Sequence, residues 1–169
     1  ITCSDSRVDP SMIFDTAPGE MFIVRNVANL VPPYAPDAAY HGTSAALEFA
    51  VRALQVQDIV VLGHAQCGGV KALLEGTPST VSDFVGQWMQ IAEPARVRVM
   101  ACPDLHDRQL ACEHEVVRLS IENLKTFWWV REATEAGTLR LHGCYFGIRS
   151  GVLEVLGEDG KFAPVPDVA

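Results

Sequence analysis

Ile59-Val60-Val61-Leu62-Gly63-His64 is the stretch on which the fold turns. Four apolar residues in a row, three of them β-branched and none alternating with a polar one, read as a strand covered on both faces. Such strands belong to parallel sheets. The run ends on a glycine and then a histidine. In an open parallel sheet ligands gather beyond the carboxyl ends of the strands, so a histidine placed there is a candidate for chemistry. Phe22-Ile23-Val24 is a second run of this kind, and a strand is expected over it. Ile1-Thr2-Cys3 reads as the end of a third buried strand without its lead-in, as though a segment before Ile1 were missing.

The segments between these runs carry helical periodicity. Ala46, Leu47, Ala50, Val51 and Leu54 fall on one stripe and predict an amphipathic helix crossing between strands. Val31 to Pro36 holds too many prolines to be regular structure. Asp9-Pro10 has the form of an N-cap followed by proline at the first helical position, and Thr80-Val81-Ser82-Asp83 resembles a capping box. The longest pattern runs from Leu110 to Ala136, with Val117, Ile121, Leu124 and Trp128 on one stripe and Gly137 as its cap; one long core-packed helix is expected. Thr138 to His142 alternates as a strand, Arg149-Ser150-Gly151 turns, and Val152 to Leu156 predicts an antiparallel edge strand. The end, with Pro164 and Pro166, reads as a loosely held tail. Alternating strands and helices give an α/β domain with a mostly parallel central sheet flanked by helices.

The 169 residues, 49% of them apolar, suffice for one domain spanning 1–169 with its own core. A net charge of -8 and thirteen dispersed Lys and Arg leave no basic stripe, so nucleic acid is not an expected partner. The apolar runs are far too short to cross a bilayer and no signal segment opens the chain, so no membrane association is expected. Five cysteines, an odd number, suggest free or metal-bound thiols in a reducing compartment. The cytoplasm is the expected location.

Two short segments carry the chemistry: Cys3-Ser4-Asp5-Ser6-Arg7 and His64-Ala65-Gln66-Cys67-Gly68-Gly69. Cys3, His64 and Cys67 offer two thiolates and one imidazole, a set that suits Zn2+, and three protein ligands leave a tetrahedral cation one position open. His-x-x-Cys lets one turn supply two ligands, while Gly68 and Gly69 would let that turn approach the metal closely and start a helix around Val70 to Leu74. Taken alone, His64 with Cys67 reads equally well as a strand-end histidine and a buried cysteine, and Asp5 with Arg7 as an ordinary surface pair. The conjunction, in this order and at strand ends, is what is specific.

The chain resembles the β-class carbonic anhydrases. Cys3-Ser4-Asp5-Ser6-Arg7-Val8, Pro18-Gly19-Glu20, Arg25-Asn26-Val27-Ala28-Asn29, Glu48-Phe49-Ala50-Val51 and Gly63 through Gly69 are similar to that family's motifs, in the family's order. The likeness continues through Cys112-Glu113 and Asn123-Leu124 to Gly143, and Val31-Pro32-Pro33-Tyr34 points to the plant-type branch. The resemblance implies a sheet of strand order 2-1-3-4-5 with an antiparallel edge strand, assembled as homodimers or homotetramers. It implies zinc-dependent reversible hydration of carbon dioxide to bicarbonate and a proton, by hydroxide on a zinc held by Cys3, His64 and Cys67. Asp5 would orient that hydroxide, Arg7 would hold Asp5, and the pair would act as a gate, since in this family the aspartate can swing onto the zinc. Because two thiolates cancel the metal's formal charge, water there should ionise at higher pH than on an all-histidine zinc.

By the same resemblance Phe22, Val27 and Phe49 line the carbon dioxide pocket, in part from a partner subunit, and the Gly68 amide faces the substrate; read without it, all three side chains simply pack the core. Phe49 stands where many relatives have tyrosine, and the glutamine of plant-type members would fall before Ile1. Phe146 stands where relatives with an allosteric bicarbonate site carry tyrosine, so that regulation is not expected. Arg25 would meet bicarbonate, serve an interface or be structural. His41, His106, His114 and His142 receive no role, Cys102, Cys112 and Cys144 are expected to be buried small side chains, and Trp88, Trp128 and Trp129 to serve helix packing or subunit contact. Two other functions stay open: the same zinc chemistry on another heterocumulene such as carbon disulfide, and a non-catalytic zinc protein in which Asp5 fills the fourth position.

Overall fold

The computed structural model describes residues 1–37, 39–81, 83–102 and 105–165. Six strands, β1 (Thr2–Cys3), β2 (Arg25–Asn26), β3 (Asp58–His64), β4 (Arg140–Phe146), β5 (Leu153–Leu156) and β6 (Phe162–Pro164), form one sheet in the order β2-β1-β3-β4-β5-β6. The first four are mutually parallel, and β5 and β6 run antiparallel to their neighbours. Seven α-helices accompany them among the described residues: α1 (Pro10–Ile13), α2 (Gly42–Glu48), α3 (Gly68–Glu75), α4 (Val85–Met89), α5 (Glu93–Met100), α6 (Arg108–Leu124) and α7 (Trp128–Glu135).

The expected α/β sheet and its 2-1-3-4-5 order are present, with one strand more. Phe162–Pro164, expected as part of a loose tail, pairs with β5 through Leu156↔Phe162 and Glu154↔Pro164, while Pro166 lies outside the described residues. Pro164 is tolerated because β6 is an edge strand, where a missing N–H costs no ladder bond. The chain leaves β1 to one side for β2, then returns across it for β3. The switch point therefore falls between β1 and β3, where Thr2 lies opposite Leu62.

Three further expectations need correction. Phe22-Ile23-Val24 is not a strand; pairing with β1 begins one residue later, at Arg25. The Arg25 guanidinium reaches the carbonyls of Cys3, Asp5 and Val8, and the Asn26 side chain bonds both the N–H and the C=O of Leu30. These polar anchors, not the apolar run, fix the strand. The long helix is two: α6 stops at Leu124, Phe127 is extended (φ -73°, ψ 114°), and Thr126 Oγ1 donates to Asn123 O at 2.6 Å before α7 begins. Gly137 does close the second helix, at φ +71°. The capping box does not form as expected, since Thr80 and Val81 lie in a 3-10 turn, Ser82 is outside the described residues and α4 starts after Phe84 without a side-chain cap. The Asp9-Pro10 cap is as expected: the Asp9 carboxylate accepts from the Ser11 and Met12 N–H groups.

Helix α6 sits at the centre. Its Cys112, Val116 and Leu119 join Cys3, Val8, Ala28, Leu30, Cys67 and Val70 in one buried cluster, and its Val117 and Leu124 join Leu47, Ile59, Val61, Phe127 and Val130 in the other. Each Val, Leu, Ile or Phe among them that is fully removed from water contributes about 1.5–3 kcal/mol. Gly63 is required where α6 crosses β3, because a Cβ there would lie 2.6 Å from Val117 Cγ2.

His114, on α6, is stacked on Phe162 at 4.2 Å between ring centroids and meets the Tyr145 ring edge-on at 4.4 Å. Burial, and then the Arg118 charge, push its pKa from 6.5 down to about 4. Between those two values the unfolded chain binds the proton and the folded chain does not, so stability falls as pH drops from about 6.5 to about 4. The expected loss is on the order of 1–3 kcal/mol. Melting temperatures measured across that window should fall more steeply for the parent than for His114→Phe, which keeps the stack; parallel profiles would contradict this.

Candidate metal centre

β1 delivers Cys3 and β3 delivers His64 to the same end of adjacent strands. Beyond His64 the chain turns at once: Ala65 N–H donates to Phe146 O at 3.0 Å, Gln66 adopts φ +57°, and Cys67 is the N-cap of α3. The turn brings Cys67 back beside Cys3. Gly69 is needed where the turn packs on the neighbouring loop: a Cβ there would lie 2.9 Å from both Ala28 Cβ and Val27 Cγ1. No described protein atom lies within 4 Å of where a Gly68 Cβ would stand.

The result is one buried group of three donors. Ligand atoms of Cys3, His64 and Cys67 all lie within 4.8 Å of one another, and the two sulfurs are 4.0 Å apart. His64 Nδ1 lies 2.9 Å from Ala65 O, which assigns the ring hydrogen to Nδ1 and leaves the Nε2 lone pair free. Nε2 is buried and has no hydrogen-bond partner. A buried, unpaired ring nitrogen facing two thiols is the arrangement a cation of zinc's preferences satisfies. The hydrogen bond between the two thiols lowers the pKa of Cys3 and raises that of Cys67.

Asp5 and Arg7 lie beside this group. Arg7 Nε donates to Asp5 Oδ1 at 2.9 Å and Nη2 to Oδ2 at 2.6 Å, a bidentate pair, and the Arg7 N–H also donates to Oδ1. Arg7 Nη2 donates further to Gln66 O, at 3.3 Å, which ties the pair to the His64–Cys67 turn. The guanidinium holds the Asp5 carboxyl well below the usual carboxylate range. Asp5 is not one of the three clustered donors. Arg25, left with three possible roles above, binds the carbonyls of Cys3, Asp5 and Val8 at 2.6–3.1 Å and so braces the loop that carries Asp5.

The residues expected to meet substrate divide. Val27 packs against the cluster around the donors, and its carbonyl accepts from Trp88 Nε1 at 2.8 Å. Phe22 and Phe49 pair with each other, ring centroids 5.8 Å apart, and are 45% and 52% exposed. Neither packs the core of this chain, contrary to the bland expectation for them. Cys112 and Cys144 are buried as expected, whereas Cys102 is exposed. Trp129 is buried, and Trp128, half-exposed, lies under the Arg52 guanidinium. His41 pairs with Asp37 and His142 with Asp58, while His114 is held between rings.

Sequence reasoning missed three residues at this site. Glu113 and Gln109 of α6 bond the peptide groups of Cys67, and Tyr145 of β4 bonds Glu113. A signal was present: Glu113 lies one helical turn before Val117, a charged residue on the stripe otherwise read as apolar.

Known proteins match the chain over most of its length. A family model described as carbonic anhydrase matches residues 1–153. Beta carbonic anhydrase 3 of Arabidopsis thaliana is 40% identical over 96% of the chain, which spans 65% of that relative's length. The solved structure of the β-carbonic anhydrase CcaA superposes with a TM-score of 0.88 at 31% identity, covering 99% of this chain and 77% of that one. A tetrameric β-carbonic anhydrase of the ascomycete Sordaria macrospora gives a TM-score of 0.79 at 30% identity, over 98% and 80% of the two chains.

Proposed function

Because the chain belongs to the β-class carbonic anhydrase family, on its plant-type side, we propose that it catalyses the zinc-dependent reversible hydration of carbon dioxide to bicarbonate and a proton. The observation that carries this reading is the buried Cys3, His64 and Cys67 group with an unpaired His64 Nε2, beside an Asp5 carboxylate that Arg7 holds out of it.

Cys3, His64 and Cys67 would hold the zinc, which would supply a Lewis acid for activating water as a nucleophile. The chain supplies the rest. Cys3 and Cys67 cancel the cation's formal charge, which moves the working pH range upward. Asp5 accepts a hydrogen bond from the attacking oxygen and aims its lone pair at the carbon of carbon dioxide, and Arg7 keeps the carboxylate ionised and in place. Val27, with Phe22 and Phe49 supplied in part by a partner subunit, offers apolar surface for an apolar substrate, and the Gly68 N–H, at the start of α3, is a donor for the oxygen that gains charge. Both oxygens of Asp5 are occupied by Arg7, which favours this reading over a closed site with Asp5 in the fourth position.

Assembly as a homodimer or homotetramer belongs to the same proposal. Phe22, Ile23, Phe49 and Leu54 are each at least 40% exposed, more apolar surface than a solitary chain leaves in water without cost. So does a cytoplasmic location, since the site needs Cys3 and Cys67 reduced. Turnover should rise with pH into the alkaline range. Parallel assays on carbon dioxide and carbon disulfide test the substrate: hydration of carbon dioxide along that pH profile is expected, and turnover of carbon disulfide alone would replace this reading with its rival.

A further inference from the structure

Both peptide groups of Cys67 are gripped from α6. Glu113 Oε1 accepts from the Cys67 N–H at 2.9 Å, and Gln109 Nε2 donates to Cys67 O at 3.2 Å and to Glu113 Oε1 at 2.6 Å. On the far side of the carboxylate, Tyr145 O–H donates to Glu113 Oε2 at 2.8 Å. Glu113 and Tyr145 are only 3% and 5% exposed. Burial, followed by the bond to Glu113, raises the Tyr145 pKa, so the phenol keeps its proton and remains a donor.

Three donors and no acceptor converge on one buried carboxyl group, and each of its oxygens is thereby satisfied. A buried carboxyl group is tolerated only with such partners, and an apolar residue of similar size would hold α6 against the sheet without needing them. Val116 and Val117, its near neighbours on α6, are fully buried and already pack the helix. The Glu113 carboxyl group therefore serves the Cys67 peptide, a contact the packing of the helix does not require.

We infer that Glu113 is a positioning residue for the metal ligand Cys67, fixing its peptide before the cation binds, with Gln109 and Tyr145 fixing the carboxylate in turn. The inference rests on the zinc reading above. The test measures zinc affinity by chelator competition, the visible spectrum of the cobalt(II)-substituted protein and the melting temperature of the zinc-free protein. Glu113→Ala should weaken zinc about 100-fold and alter the cobalt spectrum, at the upper end of what partners of metal ligands contribute. Glu113→Gln can still accept from the Cys67 N–H while donating to Tyr145, so it should bind zinc within about tenfold of the parent. A lowered melting temperature with unchanged zinc affinity in Glu113→Ala would overturn the inference, as would a Glu113→Gln no better than Glu113→Ala. Should Glu113→Ala fail to fold, Gln109→Ala decides: a several-fold loss of affinity supports the inference and an unchanged affinity overturns it. A parent that binds no zinc removes the zinc reading and this inference together, whereas a parent that binds it beside unaffected variants removes the inference alone.

Discussion

Cys3→Ser, His64→Ala and Cys67→Ser should each lose zinc and carbon dioxide hydration together. The three donors lie within 4.8 Å of one another in a buried site, so no water-filled space offers a replacement ligand on the protein side of the cation. If binding of a well-formed thiolate and imidazole site is on the order of 10 kcal/mol or more, one ligand of three accounts for several kcal/mol, and affinity should fall about 10³-fold or further. The fold should survive in the serine variants, which retain the size and burial of the side chain. His64→Ala also removes the bond to Ala65 O and opens a cavity under the sheet end, so a lowered melting temperature is expected there as well. Metal content by mass spectrometry and hydration by stopped flow measure the two losses; a normal rate with full zinc in any of the three would show that the ligands are elsewhere.

The second large effect is expected at Asp5. Asp5→Asn should keep zinc near one per chain while losing about 10²-fold or more of turnover, the range a positioned acid or base contributes. The amide presents a donor where Arg7 Nε or Nη2 now meets an oxygen, so the bidentate pair at 2.6–2.9 Å cannot persist in both contacts. It also replaces the charged acceptor of the attacking oxygen's O–H with a neutral amide. Because Asp5 is not among the clustered donors, the zinc content separates this effect from ligand loss. An unimpaired rate in Asp5→Asn would leave Arg7 and Asp5 as a surface pair.

How much of this was legible in the sequence depended on whether the deciding contacts were local. Ile59 to His64 was readable because a buried parallel strand needs an unbroken apolar run, and Asp9-Pro10 because a cap and its helix are neighbours. The strand at Arg25-Asn26 was not, because it is held by an arginine reaching carbonyls up to 22 residues away. The break at Phe127 is hidden by periodicity: only three residues separate α6 from α7, and both halves are apolar enough to read as one. β6 depends wholly on pairing with β5, and a proline in it argued the other way. At the site, the ligands stood out as a rare set of side chains in a fixed order. Glu113 did not, since the bond that matters is to a backbone amide 46 residues distant, which leaves no mark on either segment.

The most direct test is zinc stoichiometry measured on the same purified protein whose carbon dioxide hydration is followed by stopped flow from neutral to alkaline pH. One zinc per chain with turnover rising across that range is the predicted result. No zinc, or a full complement of zinc with no hydration at any pH, would contradict it.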